Sequence, residues 1–388
     1  MIPILYEAND TTFTSNGIGR LGDAISCTVT EERNGVYELE MEYPIDGLLY
    51  KELTEDRIIF AKPSDGGNNQ AFRIYKISRP INGVVTVSAE HISYLLTKAV
   101  VMPFTATSCL NAFEKIVEKI VGVDIFNFST NKTENGTLVV EVPTQVKRVL
   151  GGEQNSILDV YGGGEYEFDN FDVILHDARG EEKPITLRYG INLTDLERTT
   201  DITNVYNGIV PFWKGTVEQQ TVIVTLSEKV LMAEGHESDY AYPIIKEVDL
   251  SNEFEERPSQ GSLRTRAKKY ITDNEGWKLT ENIKVSFVKL SETVEYKDYS
   301  ALEQINLCDT IDILYTKLGV NAKAKVVKTV WDVLHDRYKE LELGDAVNSF
   351  IDTLISNNNK IEYGASDYVT KPYLEAYIEG LDGSENPY

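Results

Sequence analysis

Alternating hydrophobic and polar residues mark strands throughout the first hundred positions. The alternation is clearest over residues 27–30 and 36–42 and again over residues 71–77 and 84–89. A period of two indicates half-buried β-strands. Each pair of segments flanks an Asn-Gly dipeptide, which tolerates the positive φ of hairpin turns. The pattern therefore predicts two hairpins within a mostly antiparallel sheet or barrel over residues 1–100. Asn-Gly occurs five times in all: Asn16-Gly17, Asn34-Gly35, Asn82-Gly83, Asn135-Gly136 and Asn207-Gly208.

Helical spacing of apolar residues is rarer. A stripe follows Thr107 and Ser108, which are suitable N-caps, and consists of Leu110, Phe113, Ile116, Val117, Ile120 and Val121. Residues 155–161 predict a short helix that Gly162, Gly163 and Gly164 end, and a strand pair follows over 165–168 and 171–175. Residues 259–271 predict an amphipathic helix with a basic face, which is either solvated or docks on an acidic neighbour.

A faint repetition links the two ends of the chain. Residues 56–60, 72–77 and 85–87 resemble residues 309–313, 324–329 and 339–341 at offsets of 252 to 254. The same order of short strands would then occur twice with almost no insertion. Two explanations stay open at this point, a duplicated sheet domain and chance likeness between short alternating strands.

Length and composition indicate a soluble, multidomain protein. The 388 residues suffice for two to four domains, and the apolar (41%) and charged (26%) fractions are ordinary for globular proteins. The longest apolar runs are strand-sized, so we expect no membrane-spanning segment. The N-terminus has no features of a secretory signal, and we expect synthesis in the cytoplasm. Cys27, Cys109 and Cys308 are predicted to be reduced core thiols.

The net charge of −24 argues against nucleic-acid binding, which needs clustered Lys and Arg. The charge can serve solubility alone, or it can form a surface past which DNA slides without adhering. Twenty-two tyrosines suit wet protein interfaces, although strand propensity explains them equally well.

No catalytic, cofactor-binding or metal-binding residue is predicted. The four histidines, His91, His176, His236 and His335, lie outside metal-ligand spacing, and the chain has no nucleophile elbow or phosphate loop. His91 ends a strand and begins a short helix, which predicts a capping or packing role. Pairing carboxylates such as Asp159 with Glu165, or Asp169 with Asp172, carries no weight among 62 acidic residues.

Cys109 leaves one reservation about catalysis. It lies at the start of the predicted helix after Ser108. A helix N-terminus can lower the pKa of a thiol and so activate it as a nucleophile. A cysteine nucleophile would also need an activating base, which the sequence does not identify.

Several blocks of the sequence resemble a known family. They are residues 72–77 running into 85–96, residues 163–171, residues 188–196, and Cys308-Asp309-Thr310-Ile311 with residues 336–338 and 341–344. Together they resemble, over about residues 1–345, the N-terminal region of phage tail-tip proteins labelled prophage tail endopeptidase or tail-associated lysin. That family is similar to the baseplate hub of contractile-tailed phages. In relatives a lytic or receptor-binding module usually follows this region, and we expect a separate polypeptide to supply that activity here.

The resemblance implies a fold class of α+β, mostly β, with several domains. We expect two related β-barrel domains at 1–100 and 200–345, the second with a helical insertion around 257–273. An inserted α+β domain should cover 101–199. Beyond the resemblance, helical spacing of residues over 347–354 and 371–378 predicts a small helical C-terminal extension and tail over 346–388.

The resemblance also implies a function without catalysis. We expect a homotrimeric ring that joins the sixfold tail tube or distal tail protein to a threefold tail tip and lets DNA pass without specific binding. A tape measure protein is a further expected partner, and the expected location is the virion tail tip after assembly in the bacterial cytoplasm. Two alternatives are a cell-wall hydrolase acting during infection and a receptor-binding carbohydrate module.

Overall fold

The computed structural model describes residues 2–188, 192–217, 220–254, 256–287, 304–315 and 320–344. The chain divides into two compact units. Unit 1 comprises the chain up to Leu196 together with the chain from Lys284 onward, and unit 2 is Glu197–Ile283. The helices expected within residues 346–388 lie outside the described residues.

The first hundred residues contribute seven strands to a large sheet in unit 1. The strands are β1 Ile4–Tyr6, β2 Gly19–Arg20, β3 Ser26–Glu32, β4 Tyr37–Pro44, β5 Ile58–Ala61, β6 Gln70–Ser78 and β7 Val84–His91. Their order is β3-β4-β7-β6-β5-β1-β2, and every neighbouring pair is antiparallel. Strands β3, β4 and β7 alternate buried and accessible residues, as their sequences predict. The 3-10 helices Tyr50–Glu52 and Ile92–Thr97 complete this part.

Both predicted hairpins are present, with one correction to their turns. Strands β3 and β4 are joined at Asn34 (φ 54°), and β6 and β7 at Gly83 (φ 80°). Each turn thus uses one left-handed residue of its dipeptide, because the loops are longer than two residues. Asn135 and Gly208 instead begin strands, so the Asn-Gly signal does not mark hairpin turns there.

Residues 100–176 form a small α+β region with its own core. Its elements are β8 Val100–Val101, β9 Phe104–Ser108, α1 Cys109–Lys119, β10 Ile120–Val121, β11 Asn127–Thr130, β12 Asn135–Val140, β13 Thr144–Gln145, α2 Val146–Leu150, α3 Ile157–Val160, β14 Glu165–Asp169 and β15 Asp172–His176. The strands form three small sheets: β10-β8-β13, β11-β15-β14 and β12-β9. Helix α1 begins as predicted, with the Ser108 side chain accepting a hydrogen bond from the Asn111 N–H.

The apolar stripe of α1 is narrower than its sequence indicated. Phe113 and Ile116 are buried, whereas Leu110, Val117 and Val121 are exposed. The predicted short helix is α3, and Gly162, Gly163 and Gly164 after it all have positive φ. The strand pair that follows is β14 and β15.

The second half of the chain adds β16 Glu182–Arg188, β17 Leu193–Asp201, β22 Thr280–Phe287, β23 Thr310–Tyr315, β24 Val320–Asp332 and β25 Arg337–Gly344. These strands extend the large sheet in the order β17-β22-β25-β24, and β24 pairs directly with β3. Strand β23 pairs with the first half of β24, and β16 pairs with β23. Thirteen described strands therefore belong to one sheet.

Unit 2 has a separate core. It contains β18 Gly208–Val217, β19 Gln220–Thr225, β20 Leu231–Met232, β21 Ile245–Asp249, the 3-10 helix Ser251–Glu253 and α4 Gln260–Asn274. Helix α4 is the predicted amphipathic helix, and it buries Leu263, Ala267 and Ile271. Two arginines of its basic face bind acidic neighbours within unit 2, Arg264 to Glu228 and Arg266 to Glu253.

The mostly β fold class with several sheets is confirmed. Closure of either half into a barrel, and the four predicted domain boundaries, stay predictions. Among the described residues, no helix is long and apolar enough to cross a membrane.

Candidate assembly interface

The three thiols are buried, as predicted, and their surroundings do not favour nucleophilic chemistry. Cys27, Cys109 and Cys308 are free and buried. Burial raises the pKa of each thiol, that of Cys308 to about 12. The pKa lowering considered for Cys109 is therefore wrong, because desolvation outweighs any effect of the helix N-terminus.

His91 has the predicted capping role. Its Nδ1 accepts a hydrogen bond from the Ser93 N–H, and its Nε2 lies 3.2 Å from Gln70 Oε1. The ring stacks on Tyr37 at 4.3 Å, and burial lowers the pKa of His91 to about 3.

Within the described ranges, no three His, Cys, Asp or Glu side chains are arranged to hold a metal ion.

Strands β5-β6-β7 and β23-β24-β25 form two meanders with the same register. Ile58 pairs with Arg73, and Thr310 pairs with Lys325, which places the second pair 252 residues after the first. A register shift follows Ile74 in β6 and follows Val326 in β24, again 252 residues apart. A β-bulge is a specific structural feature of a fold and not a defect. A bulge at the same point of both meanders therefore supports duplication over chance likeness.

Backbone geometry before each meander repeats as well. Asp56 (φ 79°) and Cys308 (φ 72°) are both left-handed. The Ile74 N–H donates to the Arg57 carbonyl at 2.8 Å, and the Val326 N–H donates to the Asp309 carbonyl at 2.8 Å. Asp56 therefore corresponds to Cys308, one residue before the Asp309 that the sequence likeness suggested.

The neighbours of each meander extend the likeness to five strands. Repeat 1 has the order β3-β4-β7-β6-β5, and repeat 2 has the order β17-β22-β25-β24-β23. Their main difference is the connection between the first two strands. Four residues (33–36) join β3 to β4, whereas residues 202–279 lie between β17 and β22.

The two repeats are joined by strand pairing between β3 and β24. Pairing runs from Lys328 opposite Glu32 to Asp332 opposite Thr28. The Arg33 N–H donates to the Val327 carbonyl and the Val333 N–H donates to the Cys27 carbonyl, both at 2.9 Å. Main-chain groups of residues 327, 329, 331 and 333 consequently face β3, because hydrogen-bonding pairs alternate along antiparallel strands.

Side chains reinforce this junction on both sides of the sheet. Lys328 Nζ lies 2.7 Å from Glu32 Oε1. Lys62 Nζ binds Asp336 at 2.9 Å and lies over the buried Trp331 ring at 5.1 Å.

Glu165 connects the α+β region to both repeats. Its carboxylate accepts hydrogen bonds from Arg33 Nη1 of repeat 1 at 2.8 Å, from Lys325 Nζ of repeat 2 at 2.5 Å and from the Arg179 N–H at 2.5 Å. Burial alone would raise the pKa of Glu165, but these hydrogen bonds and cations together lower it.

Two of the sequence blocks that carry the family resemblance have structural roles here. The turn at Asp169 and Asn170 docks on the start of β6, where Gln70 Nε2 donates to Asp169 Oδ1 at 2.7 Å and the Ala71 N–H donates to Asn170 Oδ1 at 3.0 Å. Asp309 Oδ1 accepts a hydrogen bond from the Glu181 N–H at 2.8 Å. The blocks thus lie at contacts between elements.

Among the strand edges that have no partner within the described residues, two resemble the edges at the β3–β24 junction. Strand β6 pairs with β5 only through Gln70–Arg73, so Lys76–Ser78 have no strand partner on the side opposite β7. Strand β17 is an end strand of the sheet and, among the described strands, pairs only with β22. These edges are the counterparts of the two that meet at the β3–β24 junction. The sequence could not reveal this, because both strands alternate like any other.

The fold is that of phage tail proteins. The sequence model of the family described as "Prophage endopeptidase tail" matches residues 181–354. No curated protein matches the chain significantly. The resemblance to prophage tail proteins is therefore confirmed in sequence over residues 181–354 and in fold over most of the chain.

Three solved structures illustrate the likeness. Prophage tail protein gp18 from Listeria monocytogenes EGD-e has a TM-score of 0.56 at 14% identity, with 93% of this chain and 100% of that chain covered. The tail protein from Neisseria meningitidis MC58 has a TM-score of 0.55 at 10% identity, covering 91% and 98%. The 43 kDa tail protein of prophage MuSo2 from Shewanella oneidensis has a TM-score of 0.55 at 11% identity, covering 88% and 97%.

Proposed function

We propose that this chain is the structural hub of a phage or prophage tail tip. Three copies form a closed ring that joins the sixfold tail tube or distal tail protein to the threefold tip, and DNA passes through the ring. The chain acts by assembly and breaks no bond. A tape measure protein is a further partner, and the ring belongs to the virion tail after assembly in the bacterial cytoplasm.

The observation that carries the proposal is the β3–β24 junction between two repeats of one chain. Repeat 1 presents its β3 edge to β24 of repeat 2, while its own β6 edge is open at Lys76–Ser78. Repeat 2 presents β17, the counterpart of β3, as an end strand of the sheet. Joining β17 of one copy to β6 of the next repeats the same head-to-tail contact. Head-to-tail contacts form a ring when the rotation from one subunit to the next closes, and with three chains such a ring contains six repeats.

Charge on the sheet supports a path for DNA. The accessible side chains of β4 include Glu38, Glu40 and Glu42, and Glu90 of β7 lies directly opposite Glu38. Burial and the neighbouring Glu90 raise the pKa of Glu38. A wall dense in carboxylates repels the phosphate backbone, and so it lets DNA slide without adhering.

The open β6 edge can be tested with a single substitution. Ile77 corresponds to Thr329, so its N–H faces the open edge and not β7. Ile77→Pro removes that donor while leaving the β6–β7 hydrogen bonds in place. Ile77→Val keeps the donor and serves as the matched control.

We expect the unaltered chain and Ile77→Val to be trimers in native mass spectrometry and sedimentation equilibrium at micromolar concentration. Ile77→Pro should weaken association by about tenfold or more, since each contact loses a main-chain hydrogen bond worth about 1–3 kcal/mol once unpaired. A chain that stays monomeric, alone and with its distal tail partner, would refute the ring.

A further inference from the structure

A cavity of about 550 Å³ that is widely open to solvent lies beside the turn between β14 and β15 in unit 1. Two phenylalanines, four asparagines and two aspartates line it. Its volume falls within the range of about 300–1,000 Å³ that is usual for small-ligand sites. The assembly role proposed above makes no use of this cavity.

The polar wall offers oxygen and amide groups in fixed positions. Asn127 Nδ2 donates to Asp172 Oδ1 at 2.8 Å, and Asn68 Nδ2 donates to Asp169 Oδ2 at 3.3 Å. Each of these pairs leaves the amide oxygen of its asparagine for another donor. The side-chain amide of Asn69 makes no hydrogen bond to any described residue. Amides can donate to and accept from the hydroxyl groups of a ligand, and carboxylates can accept from them.

The apolar wall is aromatic. Phe60 and Phe171 line the cavity, and Phe13 stacks against both, with ring centroids 4.7 Å from Phe60 and 6.1 Å from Phe171. Phe60 and Phe171 are only partly buried. Ring faces of this kind bind surfaces made of C–H groups.

Buried groups hold the cavity walls in place. Gln70 is 4% exposed and bonds both to Asp169 Oδ1 and to the Asn170 N–H, which donates to Gln70 Oε1 at 2.6 Å. The fully buried His91 supports Gln70 from behind. A preformed wall lowers the entropy cost of binding.

We propose that this cavity binds a neutral saccharide. Hydroxyl groups of a sugar match the amide and carboxylate wall, and the C–H face of a pyranose ring matches the phenylalanines. The lining includes two carboxylates and no Lys, Arg or His, so the site disfavours anionic polymers such as teichoic acids. This binding is additional to the assembly role and does not depend on it.

Isothermal titration of the full chain with chitotetraose, cellotetraose and a glycerol-phosphate teichoic acid tests the proposal. Asn69→Ala and Asn127→Ala remove amides from the wall. Asn111→Ala, in α1 and outside the cavity lining, is the matched control, since among the described residues the Asn111 amide donates only to the nearby Glu114 carboxylate. Thermal unfolding of each variant checks that the fold is retained.

We expect saturable binding of at least one neutral oligosaccharide at millimolar concentration and none of the teichoic acid. Asn69→Ala and Asn127→Ala should each weaken binding about tenfold, and Asn111→Ala should leave it unchanged. Absence of binding by both neutral sugars, or equal binding by all three variants, would overturn the proposal. The proposal would also be overturned if Ca²⁺ bound in the cavity and neither neutral sugar bound without Ca²⁺, because that result indicates a cation site.

Discussion

Glu165 is the residue at which three parts of unit 1 meet. It binds Arg33 from the β3–β4 turn, Lys325 from β24 and the main chain at Arg179. Its side chain is 7% exposed, whereas those of Arg33 and Lys325 are 19% and 25% exposed. Asn34, the left-handed residue of the same turn, adds a hydrogen bond from its Nδ2 to the Gly164 carbonyl at 2.8 Å.

Glu165→Gln should lower the free energy of unfolding by about 1–3 kcal/mol at pH 7, since it removes a charged acceptor and leaves two cations without their carboxylate. Urea unfolding followed by circular dichroism measures the change. Glu153→Gln is the matched control, because Glu153 pairs with Arg148 at an exposed position, where ion pairs contribute little. Equal losses in both variants would contradict a special role for Glu165.

The lowered pKa of Glu165 predicts part of the loss of folding stability at acid pH. Its pKa is lower in the folded chain than in the unfolded chain, so the unfolded state binds the proton more tightly. The stabilisation is therefore complete above the unfolded pKa of about 4.3 and is lost as pH falls through the lower folded pKa. Glu165→Gln should show a shallower loss of stability in that acid range than the unaltered chain, as measured by urea unfolding at several pH values.

At the scale of elements, local pattern predicted much of the fold. Alternation identified β3, β4, β6 and β7, and the N-cap with apolar spacing identified α1. These features depend on residues close in sequence. The register between distant strands does not depend on residues close in sequence. The sequence comparison matched Asp56 with Asp309, one residue away from its structural counterpart Cys308. Only the left-handed backbone at Asp56 and Cys308 and the matching bulges determine the register.

Contacts between distant segments were not predictable either. The β3–β24 junction joins strands about 300 residues apart in sequence, and an alternating strand can pair with any other strand of similar pattern. The cavity beside the β14–β15 turn likewise combines Asn68 and Asn69 with Asn127 and Asp172. No motif spacing indicates such a combination.

Thr329→Pro tests whether the equivalent edges of β24 and β6 have different roles, the first in folding and the second in association. Thr329 and Ile77 are equivalent, but the Thr329 N–H faces β3 within the chain. Proline there removes a ladder hydrogen bond and should cost about 1–3 kcal/mol of folding stability, whereas Ile77→Pro should weaken association and leave the unfolding midpoint of the monomer nearly unchanged. Differential scanning calorimetry separates the two effects, and a reversed pattern would contradict the assigned edges.

At the scale of the whole molecule, net charge opposes assembly. Each chain carries −24, so three copies repel one another at low salt. The Debye length falls from about 30 Å at 0.01 M salt to about 8 Å at 0.15 M.

The dissociation constant of the proposed trimer should therefore fall several-fold as salt rises over that range, as sedimentation equilibrium can measure. A double variant, Glu40→Gln with Glu42→Gln, should show a weaker salt dependence, because it removes charge from the sheet face. Association that weakens with salt would indicate that ion pairs between chains dominate.

The long connection in repeat 2 has a consequence for symmetry. Residues 202–279 stand where repeat 1 has only residues 33–36, so neighbouring repeats around the proposed ring would differ by one folded module. Strand pairing treats all six positions alike, while a component that recognises the module finds three of them. If the proposed ring forms, its strand pairing would match a sixfold neighbour and its extra module would match a threefold neighbour.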